Sequence, residues 1–235
     1  MTVGGILDAT TYLELRDSII KAAVDQPQAV VVDISGLRVP RSSAYAAFTS
    51  ARWQISRWPE VALVLVCMHP EGRHGLRHRV ISRSMPVYAS LNEALEEVDA
   101  QGPRQVRRRA TFALSGDDAG LQMGRAWVTL KLLEWSHDDL IPIAKVVVTE
   151  LVTNVLVHTA SEPVVRLEAT NAKVTIAVED DCPKPAVLPD VTKHGVLSGL
   201  HIVSAMSRGW GSLPTPTGKA VWATICAENR CRPSE

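Results

Sequence analysis

The sequence predicts two domains: an N-terminal α/β domain and a C-terminal α+β sandwich. Three observations predict it. A length of 235 residues suits two ordinary domains. The first half alternates strand-like and helix-like segments. The second half presents two long helical patterns and then strands that read as antiparallel. Apolar residues make up 46% of the chain, which is enough for packed cores and argues against wholesale disorder.

In the first half, the apolar runs 29–34 and 61–66 read as strands covered on both faces, as in a parallel sheet. Between them, segment 42–58 places Tyr45, Phe48, Ala51 and Ile55 at helical spacing. Segment 10–24 is another predicted helix, with Leu13, Ile20 and Ala23 on one side, and 72–81 and 90–98 are two more. The order βαβαβα defines a small α/β layer over residues 1–98. The seam at 99–109 holds Gly102 and Pro103, then Arg104, Arg107, Arg108 and Arg109 with no apolar period. It reads as a linker running into a solvated strand.

The second half, 110–228, opens with a strand at 111–114, followed by helices at 119–135 and 141–158. A hairpin comes next: strand 164–170, a turn at Asn171 and Ala172, and strand 173–178, in which Val174, Ile176 and Val178 alternate inward. A Pro-rich loop leads to a short helix at 199–208 and a last strand at 220–227, and residues 229–235 form a tail.

Basic and acidic residues balance at 25 each, so no global field draws the chain to nucleic acid or to an anionic membrane. The start of the chain lacks a basic flank followed by an apolar core and does not read as a signal peptide. The longest apolar run, 61–68, is too short to span a bilayer. Cys67, Cys182, Cys226 and Cys231 form no CxxC pair, so unpaired thiols in a cytoplasmic protein are expected. The arginines of the seam leave a nucleic-acid role open on local charge alone.

On the 141–158 helix, Ala144, Val148, Leu151, Val152 and Val155 form the core stripe. Glu150, Asn154 and His158 lie at i, i+4 and i+8 and form a polar row on another face, flanked by Val146 and Val157. An amide oxygen suits Mg²⁺, which takes few protein ligands and completes its shell with phosphates and water. A carboxylate one turn away can deprotonate a hydroxyl attacking a phosphate. Spacing alone also fits an ordinary solvated helix face. Asp180, at a strand end, can accept the exocyclic amine of adenine or simply initiate a turn.

The segment Glu150-Leu-Val-Thr-Asn154-Val-Leu-Val-His158 resembles the N box of the GHKL (HATPase_c) ATPase superfamily, closest to its anti-sigma-factor serine kinase branch in actinobacteria. Val178-Glu-Asp180 is similar to that family's adenine-binding box, Ser198-Gly-Leu-His-Ile-Val203 to its second glycine box, and Gly218-Lys-Ala-Val-Trp-Ala223 to the end of the fold. The resemblance runs from about Gln105 to Ala227 and implies an α+β sandwich of Bergerat type. It implies Glu150 as general base, Asn154 as Mg²⁺ ligand, and His158, Asp180, Ser198, Gly199, Leu200 and Gly218 as further ATP-binding positions. The backbone N–H groups of Gly199 and Leu200 would meet phosphate at a helix start. The sequence departs from the family pattern at Cys182, at Leu197, and at Lys219 and Ala220, where the family has glycines and a supporting threonine.

The first half resembles a STAS domain, the fold of anti-sigma-factor antagonists, through Gly5-Ile-Leu-Asp8, Val31-Val-Asp33-Ile-Ser-Gly36 and Arg41-Ser42-Ser43-Ala44. The resemblance implies Ser43 as phosphoacceptor. Ser42 or Ser43 also suits a helix N-cap. Arg41 and Ala44 stand where the family has Asp and Gly.

The two resemblances together imply a transcription-regulating partner switch. It would bind ATP and Mg²⁺, phosphorylate a serine on a STAS-domain antagonist and control a sigma factor, acting as an anti-sigma-factor serine/threonine kinase with a possible homodimeric state. The alternative is a non-catalytic adaptor of the same fold with a degenerate nucleotide site. No membrane or nucleic-acid partner is expected.

Overall fold

A computed structural model describes residues 1–77, 85–102, 107–189 and 198–227. The chain divides into two compact units, Met1–Arg104 and Gln105–Glu235.

The first unit is a parallel sheet in the order β1-β2-β3-β4, formed by Thr2–Ile6, Ala29–Arg38, Ala62–Val66 and Val87–Tyr88. The helices are α1 (Tyr12–Val24), α2 (Ala46–Ile55), α3 (Pro70–Arg77) and α4 (Leu91–Gln101). Parallel strands need crossovers, and α1, α2 and α3 lie in them. Val31, Val64 and Val66 pack with Ala94 and Val98 of α4. Their chain neighbours Val30, Val32, Leu63 and Leu65 are also buried, and alternation turns them to the other face. Both faces are thus covered, which is why the strands read as continuous apolar runs.

Several expectations shift in this unit. β2 runs on to Arg38 because β1 pairs with its second half, Gly4 opposite Gly36 and Ile6 opposite Arg38. Leu13 is exposed, not part of the core; the buried residues of α1 are Leu15, Ile19, Ile20, Ala23 and Val24. The row of residues four apart therefore begins at Leu15. Segment 42–58 is not one helix: a 3-10 turn, Ser42–Tyr45, precedes α2. Neither serine caps it, since the N-cap is Arg41 without a side-chain bond. The expected 72–81 helix begins earlier, at Pro70, and its end lies outside the described residues. Helix α4 begins after a Ser90 cap, whose hydroxyl accepts from the Glu93 N–H, and continues to Gln101, so the start of the expected linker is helical.

The second unit is a five-stranded antiparallel sheet in the order β5-β6-β7-β9-β8, where β5 is Arg108–Ala113, β6 Val164–Thr170, β7 Lys173–Asp180, β8 Gly209–Pro214 and β9 Lys219–Ile225. Helices α5 (Asp118–Glu134), α6 (Ile141–His158) and α7 (Gly199–Met206) accompany it. Asp117 caps α5 by accepting from the Gly120 N–H at 2.8 Å. The Ser115 hydroxyl and then this N–H hold the Asp117 carboxyl below its usual range. Gly120 is required here, because a Cβ would collide with the Ser115 carbonyl.

The core lies between α6 and the sheet. Ala144, Val147, Val148, Leu151, Val152 and Val155 of α6 meet Val165, Leu167, Val174, Ile176, Val178, Val221, Ala223 and Ile225, and Leu200 and Val203 of α7 join them. The inward alternation of Val174, Ile176 and Val178 is as the sequence predicts. With its leading turn, α6 forms a 21-residue stretch, Asp138–His158, of mean hydropathy 1.9, long and apolar enough by composition to cross a membrane. The apolar face of α6 is occupied by the sheet. Strand β8 was not expected: Gly209, Gly211 and Pro214 disguise it, yet Gly211 is where the Trp222 indole lies, 3.0 Å from where a Cβ would stand.

Truncating the centre of this core tests the packing. Leu151→Ala, at 1% exposure, is expected to cost about 2–5 kcal/mol. Leu133→Ala, at 55% exposure on α5, should stay within about 0.5 kcal/mol. Urea unfolding followed by tryptophan fluorescence measures both, and equal losses would refute this assignment of the core.

Candidate functional site

Helix α6 is oriented by its apolar face. That orientation turns Glu150 and Asn154 aside from the core, where both are half-buried, and leaves His158 exposed in the last turn. Among the described residues, the side chains of Glu150 and Asn154 make no hydrogen bond or ion pair. Half-buried polar groups usually find partners in the protein or in water. These two are left available to a ligand.

Glu150 meets the start of α7. Its carboxylate lies so close to Gly199 that a Cβ there would collide with Oε2 and sit 3.4 Å from Cδ. Gly199 is thus explained by the carboxylate it faces. Ser198 caps α7 reciprocally with His201, whose Nδ1 lies 2.9 Å from the Ser198 hydroxyl and 3.1 Å from its backbone N–H. Leu200 is buried and anchors the helix start in the core. The structure therefore joins Glu150, Ser198, Gly199 and Leu200 in one place. The expected departure at Leu197 lies outside the described residues.

A second cluster forms at the end of β7. Asp180 is opposite Lys219 in the β7–β9 register. Its Oδ1 accepts from the Lys219 ammonium at 2.7 Å and from the Cys182 N–H at 2.8 Å. The side chains of Asp180 and Lys219 are 0% and 6% exposed. Lys219 also donates to the Cys182 carbonyl at 3.3 Å. Asp180 Oδ2 is buried without a partner. Gly218 lies directly against the backbone of Asp180 and Asp181, where a Cβ has no room. Its turn is closed by the Thr215 hydroxyl, which accepts from the Gly218 N–H at 2.9 Å, and by the Thr215 N–H donating to the Gly218 carbonyl at 3.0 Å.

Lys219, expected as a departure that leaves Asp180 without support, bonds that carboxylate directly. A lysine at the head of a strand whose other residues are nearly all apolar is the sequence signal for it, because a buried lysine requires a carboxylate.

A cavity of about 820 Å³ opens elsewhere, between α5 and α6. It touches Glu150 but neither Asn154 nor Asp180, so it is not the space that joins the two clusters. Its walls include Arg125, Leu130, Leu133, Lys145 and Thr149. Arg125 Nε donates to the Thr149 hydroxyl at 2.7 Å, which donates in turn to the Lys145 carbonyl at 2.6 Å. Sequence reasoning missed these residues.

The seam arginines are engaged within the unit. Arg107 and Arg109 reach Glu168 at 3.4 and 3.7 Å, and Arg108 donates to the Glu134 carbonyl at 3.4 Å. Arg104 lies outside the described residues. Ser43 is exposed in the 3-10 turn beside exposed Arg41. Among the described residues Cys67, Cys182 and Cys226 are free thiols, and no cluster of three or more His, Cys, Asp and Glu side chains could hold a metal.

Residues 1–94 match the STAS domain family, and the first unit carries that α/β domain. Among solved structures, the chain is similar to an anti-sigma factor antagonist from Mycobacterium paratuberculosis, with 23% identity over 42% of this chain and 82% of that one, at a TM-score of 0.37. No curated protein matches the chain.

The buried pair makes a stability prediction. Lys219→Met leaves Asp180 charged and unpaired and is expected to cost about 3–5 kcal/mol. Combining it with Asp180→Leu should recover most of that loss. Urea denaturation of the single and double variants checks this, and a double variant no more stable than Lys219→Met would refute it.

Proposed function

We propose that this protein is a partner-switching regulator of transcription. Its STAS unit is joined to a GHKL-type unit that binds ATP with Mg²⁺, phosphorylates a serine on a STAS-domain antagonist and controls a sigma factor. The observation that carries the reading is a pair of clusters: uncommitted Glu150 beside the α7 start with Asn154 one turn further along α6, and buried Asp180 against Gly218.

The residues suit the groups they would meet. Asn154 offers one neutral oxygen ligand, and Mg²⁺ held largely by phosphates and water needs no acidic cage. Bound there, the ion would neutralise phosphate charge. Asp180 Oδ2 is an acceptor that lacks a donor, which an adenine amine supplies. The N–H groups at the α7 start face an anion favourably. Glu150 then takes the proton from the attacking serine hydroxyl as the oxygen–phosphorus bond forms and ADP leaves. The proton ends on the Glu150 carboxylate. Exposed Ser43 is the acceptor if this chain, or another copy, is the substrate.

A second reading has its own support. Lys219 already donates to Asp180, and Cys182 stands where a glycine would let the backbone approach a nucleotide. On this reading the unit is a non-catalytic adaptor.

Calorimetric titration with Mg-ATP separates the two. Saturable binding is expected, weakened in Asn154→Ala; no binding by the parent protein would leave only the adaptor. With ATP bound, Glu150→Ala should lower phosphate transfer to a STAS substrate by about 10²–10⁴-fold while binding persists. Ser43→Ala should remove any label from the chain itself. Unchanged transfer in Glu150→Ala would remove the general-base role.

A further inference from the structure

Lys219 holds hydrogen-bonding capacity that its structural role does not use. An ammonium has three N–H donors. One goes to Asp180 Oδ1 at 2.7 Å and one to the Cys182 carbonyl at 3.3 Å; the third has no acceptor among the described residues. Beside it, Asp180 Oδ2 is buried with no donor. A buried polar atom without a partner carries a desolvation penalty that a bound group can relieve. A spare charged donor and a spare carboxylate acceptor therefore stand on one ion pair, fixed to two neighbouring strands in register.

We infer that the Asp180–Lys219 pair acts as one base-reading element, with Asp180 Oδ2 accepting from an exocyclic amine and the Lys219 ammonium donating to the adjacent ring nitrogen. The inference rests on the nucleotide reading above and adds the residue that sets base choice. The ligand edge it requires is an amino group next to an unprotonated ring nitrogen, as the amine and N1 of adenine provide. Asp180 alone would recognise only the amine. Lys219 adds a charge-assisted hydrogen bond. The pair stays neutral overall, so it can receive an uncharged base without leaving a buried net charge.

The test compares four Mg²⁺-bound triphosphates on the full chain by calorimetry: ATP, GTP, 1-deazaadenosine triphosphate, which lacks the N1 acceptor, and purine riboside triphosphate, which lacks the amine. The 1-deaza analogue is expected to bind about tenfold or more weakly than ATP, the loss of a hydrogen bond to a charged group. In Lys219→Met this difference should fall to within about twofold, while the penalty for losing the amine remains. Lys219→Arg, which keeps a donor, should retain part of the N1 preference. The ratio measured on the parent protein stands whether or not Lys219→Met folds. Equal binding of ATP and the 1-deaza analogue by the parent overturns this inference and leaves the nucleotide reading intact. A preference for GTP over ATP also overturns it. Absence of saturable ATP binding overturns both.

Discussion

The burial of one face of α6 against the sheet sets the position of everything in the second unit that carries chemistry. Six apolar residues, Ala144, Val147, Val148, Leu151, Val152 and Val155, are buried there. A fully buried Val or Leu side chain contributes about 1.5–3 kcal/mol. The sum far exceeds anything a half-buried carboxylate or amide could contribute by its own contacts. Rotating the helix so that Glu150 took the place of Leu151 would put a carboxylate in the core. The helix therefore faces one way for apolar reasons alone. Glu150 and Asn154 are carried to their positions and do nothing to hold them.

At the end of β7, fold and chemistry are coupled. Asp180 and Lys219 are register partners on β7 and β9, and the turn that leads into Lys219 rests on the backbone of Asp180 through Gly218. Removing either charge exposes the other to a desolvation cost it cannot meet alone. The same carboxylate leaves one oxygen without a donor. Thus one oxygen is tied to the strand pair and the other is left over.

Much of the fold was legible because the patterns are strong. Helix α6 runs over the expected residues because its core stripe repeats without interruption. Strand β6 does so because Asn171 and Ala172 punctuate the hairpin. Periodicity failed where a side chain's neighbours in sequence say little about its neighbours in space. Leu13 fits a helical spacing but faces out, since α1 rests on the row that begins at Leu15. Strand β8 hides behind two glycines and a proline because its pairing with β9 is non-local. The residues of the candidate site were legible by type and order. The role of Lys219 was not, because sequence spacing gives no sign that a residue 39 positions away in the chain is its partner.

Two cations of the chain, Arg41 and Lys219, lie in opposite environments. In the STAS unit, Ser43 and Arg41 are both exposed, so exchanging an acid for Arg41 costs the fold nothing and changes only the surface field. A phosphate on Ser43 carries a charge of about −1.5 to −2, and a neighbouring cation favours it where an acid would repel it. In the second unit Lys219 is enclosed, so its exchange alters the pairing of a buried carboxylate. Both are cations, yet screening by water makes the first a modest, salt-dependent effect, while enclosure ties the second to the buried carboxylate it pairs with.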